Sequence, residues 1–315
     1  MRLAPLSLVL VLLGTAACGG QSEPAADAQE RIDVTVGFYP YEFVAQRVGG
    51  EDVTVTNLTQ PGGEPHDLEL SPRQVAQLQE TDLVLYSRGF QPAVDEAVEQ
   101  SAADRAFDVL TAVELREGAH EHEDEGEHAD EGEHADEEAD HAEEEGADPH
   151  VWLDPVRLST IAGAVADQLA EISPERAGDF ERRALELTAE LKELDGELRT
   201  GLAGCRRTQI VTSHDAFGYL ADTYGLEQVP LSGLSPEDEA SPKRLAEVAR
   251  YAKEQGVTTI FFEELVSPKV AESLAREVGA EAKALNPLEG PPAQGDYLTE
   301  MRANLQTLRT ALDCP

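Results

Sequence analysis

Positive charge is what this 315-residue chain lacks most. Lysine and arginine number 24 against 63 aspartates and glutamates, a formal net charge of −39. Such a chain repels phosphate backbones, which excludes nucleic acid as a partner. Aromatic residues make up only 5%, with a single tryptophan, too few to stack a row of bases. The N-terminal apolar stretch Leu3–Leu13 is broken by Ser7 and falls well short of the roughly 20 residues that span a bilayer. The chain contains no His-Glu-x-x-His, no Gly-x-Ser-x-Gly and no Gly-rich phosphate loop, which removes the commonest zinc-protease, serine-hydrolase and nucleotide-binding signatures. Hydrophobic residues are 41%, enough for a sizeable core, and the length suggests about two domains.

Cysteine is also scarce, and the three present divide by position. Met1-Arg2, an apolar run and Gly14-Thr15-Ala16-Ala17-Cys18 read as a signal peptide over residues 1–17. The cysteine behind two alanines resembles a bacterial lipoprotein cleavage box, with Thr15 where such boxes usually carry leucine. Cys18 is therefore expected to hold a lipid, and residues 18–30 to form a polar tether. Export places Cys205 and Cys314 where disulfides persist, so they are expected to pair. The expected location is extracytoplasmic, anchored to the outer face of the bacterial cytoplasmic membrane.

Much of the negative charge sits in one insert. Residues 117–148 hold 17 acids, five histidines and no lysine or arginine, with Asp-Glu-Gly-Glu-His-Ala occurring twice, at 124–129 and 130–135. With almost nothing apolar to bury, residues 117–147 are expected to be disordered. Either side of them, strand-like runs such as Ile32–Phe38, Val53–Leu58, Leu83–Tyr86, Gln209–Ser213 and Thr258–Phe262 alternate with helical stretches, the pattern of a parallel sheet. Leucines and alanines at helical spacing over Glu175–Leu202 predict a long rod. The chain thus divides into an N-terminal α/β lobe (31–155), a helical connector (156–203) and a C-terminal α/β lobe (204–315).

The histidines carry the chemistry. His120, His122, His128, His134 and His141 lie in the insert. The other three share one setting: His66 in the loop after the second strand, His150 opening a strand-to-helix connection, His214 at a strand end. Ligands of open α/β sheets bind outside the carboxyl ends of the strands. Two histidines from one lobe and one from the other therefore meet naturally in the cleft between lobes. Three neutral imidazoles suit zinc, whereas manganese prefers oxygen.

Three motifs make the chain resemble the zinc/manganese-type solute-binding lipoproteins of ABC importers (cluster A-I, or cluster 9), in their zinc branch. They are Gly63-Glu64-Pro65-His66-Asp67, Asp148-Pro149-His150-Val151-Trp152-Leu153-Asp154-Pro155, and Val211-Thr212-Ser213-His214-Asp215-Ala216-Phe217-Gly218-Tyr219. The resemblance implies two α/β lobes joined by a long rigid helix, Zn2+ as transported cargo on His66, His150 and His214, and a permease with its ATPase as partners of a monomer. It also implies no enzymatic activity. Family members commonly place an aspartate ligand in a Leu-Asp-Pro-Leu motif; here that stretch is Leu285-Asn286-Pro287-Leu288. The fourth ligand is then open among water, Glu64, Glu263 and Asn286. Rival readings are a secreted zinc-dependent hydrolase, a zinc-dependent adhesin, and Mn2+ as the metal.

Histidine recurring among carboxylates in the insert points to weak, reversible zinc capture ahead of the cleft. Deleting residues 117–147 is expected to lower the number of zinc ions bound per chain, and uptake at scarce zinc, both read by calorimetry and growth.

Overall fold

The computed structural model describes residues 31–116, 147–236, 238 and 240–315. The signal peptide, Cys18, the tether, and residues 117–146 with their five histidines lie outside the described residues.

The N-terminal lobe is built from β1 (Ile32–Val36), α1 (Tyr39–Gly49), β2 (Val53–Asn57), α2 (Pro72–Glu80), β3 (Leu83–Tyr86), α3 (Pro92–Ser101) and β4 (Ala106–Asp108). Its four parallel strands stand in the order β2-β1-β3-β4. The C-terminal lobe repeats the scheme with β5 (Gln209–Thr212), α6 (Gly218–Tyr224), β6 (Glu227–Pro230), α7 (Pro242–Gln255), β7 (Thr259–Phe262), α8 (Lys269–Val278), β8 (Glu281–Ala284) and α9 (Tyr297–Ala311). Its parallel order is β6-β5-β7-β8. In each sheet the chain lays its second strand on one side of the first and its third on the other. That creates a switch point with a crevice at the strand carboxyl ends.

Local signals start and stop these elements. Ser71 caps α2 in a capping box with Gln74, followed by Pro72, and Ser241 caps α7 ahead of Pro242. Helix α8 stops on Gly279 in the left-handed conformation (φ 76°), which glycine adopts without steric cost. Strands β4 and β8 had no clear sequence signal. The first is three residues long and the second reads Glu-Ala-Lys-Ala, residues of poor strand propensity. Both are sheet edges, held by one neighbour each.

The connector carries the rod expected over Glu175–Leu202 as its second helix. It contains two helices, α4 (Pro155–Ile172) and α5 (Ala177–Leu202), separated by the turn at Pro174–Arg176. They pack against each other, and α5 continues onto both lobes, touching α1 on one side and α6 and α9 on the other. At 26 residues α5 is about 39 Å long. Its buried stripe (Phe180, Ala184, Leu187, Leu191, Leu194, Leu198, Leu202) keeps one face inward along the whole length. Polar pairs key it at each end. Arg183 bonds the Asp52 carboxylate (2.7 Å) and the Val48 carbonyl (2.6 Å). Arg302 of α9 grips Glu197 with two hydrogen bonds (2.8 and 3.0 Å).

One apolar core runs through both lobes and the connector, joining Phe38, Trp152, Leu191, Phe217 and Tyr297. Trp152 is fully buried at the junction. Its indole donates to the Pro287 carbonyl (2.7 Å), and the Tyr297 hydroxyl donates to the Trp152 carbonyl (2.6 Å). A shared core with satisfied polar contacts across it couples the two lobes.

Cys205, just past α5, and Cys314, just past α9, form a disulfide across 109 residues of sequence. It fastens the last helix to the end of the connector. Replacing both cysteines with serine is expected to lower unfolding free energy by up to about 4–5 kcal/mol, the chain-entropy value for a loop of this size. Urea titration of the oxidised protein and the double variant measures it.

Candidate metal centre

His66 is carried by the loop between β2 and α2. Glu64 folds that loop by accepting the Asp67 N–H (3.0 Å). Gln91 pins it from below: its side-chain amide donates to the Pro65 carbonyl (3.0 Å) and to Thr59 Oγ1 (3.1 Å). Gly37 admits Gln91 there, since a Cβ at that position would lie 2.3 Å from Gln91 Oε1. The imidazole rests against Phe90, centroids 4.2 Å apart.

His150 follows the point where the chain re-enters the fold. The Asp148 carboxylate accepts both its backbone N–H (2.9 Å) and its ring Nδ1 (2.8 Å). A proton held on Nδ1 leaves the Nε2 lone pair free for a metal. His214 sits at the end of β5 and is oriented in the same manner by Glu263, whose Oε1 lies 2.6 Å from His214 Nδ1 and also accepts the Ser213 hydroxyl.

The fourth group is Glu289, which the sequence reading missed. It follows β8 in a tight turn. Asn286 Oδ1 accepts the Leu288 N–H (2.8 Å), and Asn304 bonds both the N–H and the carbonyl of Asn286 (3.0 and 2.6 Å). Leu288 takes φ 61°, a conformation that is costly for leucine and is held by its complete burial. This turn aims Glu289 inward. Asn286 therefore spends its side-chain oxygen on the backbone and its amide on Glu300. It builds the support for Glu289 and does not itself face the cleft group. The available signal was an acid three residues after Asn286, ahead of Gly290-Pro291-Pro292.

The four meet closely. Glu289 Oε1 lies 3.5 Å from His66 Nε2, 3.7 Å from His150 Nε2 and 3.5 Å from His214 Nε2. His150 Nε2 and His214 Nε2 are 3.4 Å apart. One donor atom from each residue falls within 4.8 Å of all the others. Ligands at ~2.0–2.1 Å around a tetrahedral zinc stand about 3.3–3.4 Å from one another, and four of the six separations here already approach that value. His66 Nε2 and Glu289 Oε1 are buried without a hydrogen-bond partner among the described residues. Such atoms are expensive unless something else engages them.

Charge is arranged around this cluster. Burial alone would raise Glu289, but the facing His214 and His66 rings outweigh it and hold the carboxyl below the usual range. Burial pushes His150 down, with Asp148 opposing. Burial also acts to lower His214, yet Glu263 and Glu289 overcome it and hold that ring well above its ordinary value. Of the candidates read from the sequence, His66, His150 and His214 come together; Glu263 lies behind His214; Glu64 organises the His66 loop and keeps one oxygen buried without a hydrogen-bond partner among the described residues.

Three imidazoles and one carboxylate, drawn from both lobes of a two-lobed α/β protein, form a buried group able to hold one metal ion. The chain belongs to the family of periplasmic component A of zinc-uptake complexes (ZnuA), whose model matches residues 34–311. It is 37% identical to the high-affinity zinc uptake system protein ZnuA of Bacillus subtilis, over 94% of this chain and 93% of that one. It is 36% identical to the zinc-binding protein AdcA of Streptococcus pyogenes serotype M3, over 91% of this chain; there it spans only 57% of the relative's length. Among solved structures it resembles the laminin-binding protein Lmb of Streptococcus agalactiae, described as bifunctional with adhesin and metal-transporting activity (TM-score 0.76, 28% identity, 90% of this chain and 100% of that one). It also resembles Zn(II)-bound AdcA of Streptococcus pneumoniae (TM-score 0.72, 31% identity, 90% and 58%).

Glu289→Gln keeps an oxygen but removes the charge. It is expected to weaken zinc binding about 10-fold, the scale of a single perturbed metal contact, while Glu264→Gln, at an exposed neighbour, leaves it unchanged. Competition with a zinc-responsive chelator reads both.

Proposed function

We propose that this protein captures one Zn2+ ion outside the cytoplasm on His66, His150, His214 and Glu289 and delivers it to the permease of an ABC importer. The observation that carries this reading is the convergence of four donor atoms within 4.8 Å of one another, two of them buried without a hydrogen-bond partner among the described residues. Membership of a zinc-uptake family supports the same cargo. The imidazole majority favours zinc over manganese.

No reaction is assigned to the site. Catalytic zinc keeps a coordination position open for water, whereas four protein ligands close the shell. Capture consists of exchanging water for these four groups. Because the lobes share a core through Trp152 and α5, loading adjusts the ligand-bearing loops rather than swinging whole lobes. The lipid on Cys18 keeps the protein beside its permease.

Proton competition follows from the charges. In the zinc-free protein Glu263 and Glu289 favour the protonated form of His214 against its burial, so zinc must compete with a proton there; burial favours the neutral form of His150. Apparent affinity therefore rises with pH until His214 has titrated, and falls at acid pH. Calorimetry in buffers of different ionisation enthalpy is expected to give proton release on zinc binding that declines as pH rises. Glu263→Gln, which lets His214 titrate lower, is expected to reduce that release. His66→Ala, His150→Ala and His214→Ala each abolish tight binding of the first zinc equivalent; retention of tight binding by all three would refute the assignment.

A further inference from the structure

Asp148, the carboxylate behind His150, is itself held from outside the site. Its Oδ1 takes both N–H groups of His150, and its Oδ2 receives Arg116 Nη1 at 2.8 Å. Asp148 is wholly buried, so the Arg116 fork is its link toward the surface. The same guanidinium reaches into the other lobe: Arg116 Nε donates to Asp222 of α6 (3.0 Å). The backbones are locked around this pair. The Asp148 N–H donates to the Arg116 carbonyl (3.0 Å), the Arg116 N–H donates to Tyr219 Oη (3.0 Å), and Tyr219 Oη donates to the Asp148 carbonyl (2.7 Å).

Gly218, the first residue of α6, makes room for this contact. A Cβ there would stand 1.7 Å from Arg116 Nη1 and 2.9 Å from Asp148 Oδ2. The planar fork suits the task, because one cation spans two carboxylates in fixed directions. Arg116 touches none of the four converging groups; it acts on His150 through Asp148.

We propose that Arg116 is a positioning residue for the metal centre: it fixes the Asp148 carboxylate, and through it the His150 ring, against helix α6 of the C-terminal lobe. His150 comes from one lobe and His214 from the other, so this tie sets their relative orientation before metal arrives. A free Asp148 Oδ2 inside the protein would turn toward other donors and take the ring with it. The proposal rests on the reading of the site as a zinc centre.

The test uses the full, metal-stripped chain with one equivalent of Zn2+ against a competing chelator, and one equivalent of Co2+ for its visible absorption. Arg116→Gln is expected to weaken zinc binding about 10-fold and to shift the tetrahedral Co2+ bands, with Asp148→Asn at about 10–100-fold. Since Arg116 acts through Asp148, the double variant should bind no more weakly than Asp148→Asn alone. Gly218→Ala keeps every charge but displaces the guanidinium, and should reproduce the Arg116→Gln losses in a protein that melts cooperatively. Arg116→Gln and Gly218→Ala binding within twofold of the parent with unchanged Co2+ bands would overturn the proposal, as would simple addition of the Arg116 and Asp148 losses. A parent chain that fails to bind the first zinc equivalent would instead remove the zinc reading beneath it.

Discussion

Everything about this molecule depends on bringing an ionised carboxylate and three imidazoles into one dry space. Glu289 is 1% exposed, and His150 and His214 are fully buried. Taking such a charge from water costs several kcal/mol even after relaxation. Part is recovered from the facing imidazoles, but Glu289 Oε1 and His66 Nε2 still lack hydrogen-bond partners among the described residues. A fold holds that deficit only if the rest of the structure over-determines it. A divalent ion held by the four groups would remove it at once.

The scaffold supplies the over-determination. Every one of the four residues has its own support: Glu64 and Gln91 for the His66 loop, Asp148 for His150, Glu263 for His214, the Asn286–Asn304 turn for Glu289. These supports are fixed in turn by a core common to both lobes, with Trp152 and Tyr297 bonded across the junction and α5 laid along it. Pre-placed ligands discriminate by geometry, since raw affinity alone would favour copper over zinc at a nitrogen-rich site.

The sequence disclosed the parts of this that are local. Strands rich in β-branched residues, capped helices and three histidines in loops and connections beside strands were all legible, and they were enough to predict two parallel-sheet lobes meeting at a cleft. What stayed hidden is non-local. Glu289 is one acid among 63 in the chain, and nothing in its neighbours reveals that Asn304, eighteen positions past Asn286, shapes the turn that aims it. Asn286 itself looked like a substituted ligand because only motif spacing was visible; its side chain had a backbone partner two residues away. The rod over Glu175–Leu202 was legible in its leucine spacing, whereas the return packing of α4 on α5, being non-local, was not. Strands β4 and β8 escaped because edge position, rather than propensity, makes them strands.

X-ray absorption at the zinc K-edge, on stripped protein loaded with one equivalent, tests the central claim most directly. The account predicts a four-coordinate centre with three imidazole nitrogens and one carboxylate oxygen at about 2.0–2.1 Å. Fewer than three imidazoles, or a six-coordinate oxygen-rich shell, would contradict it.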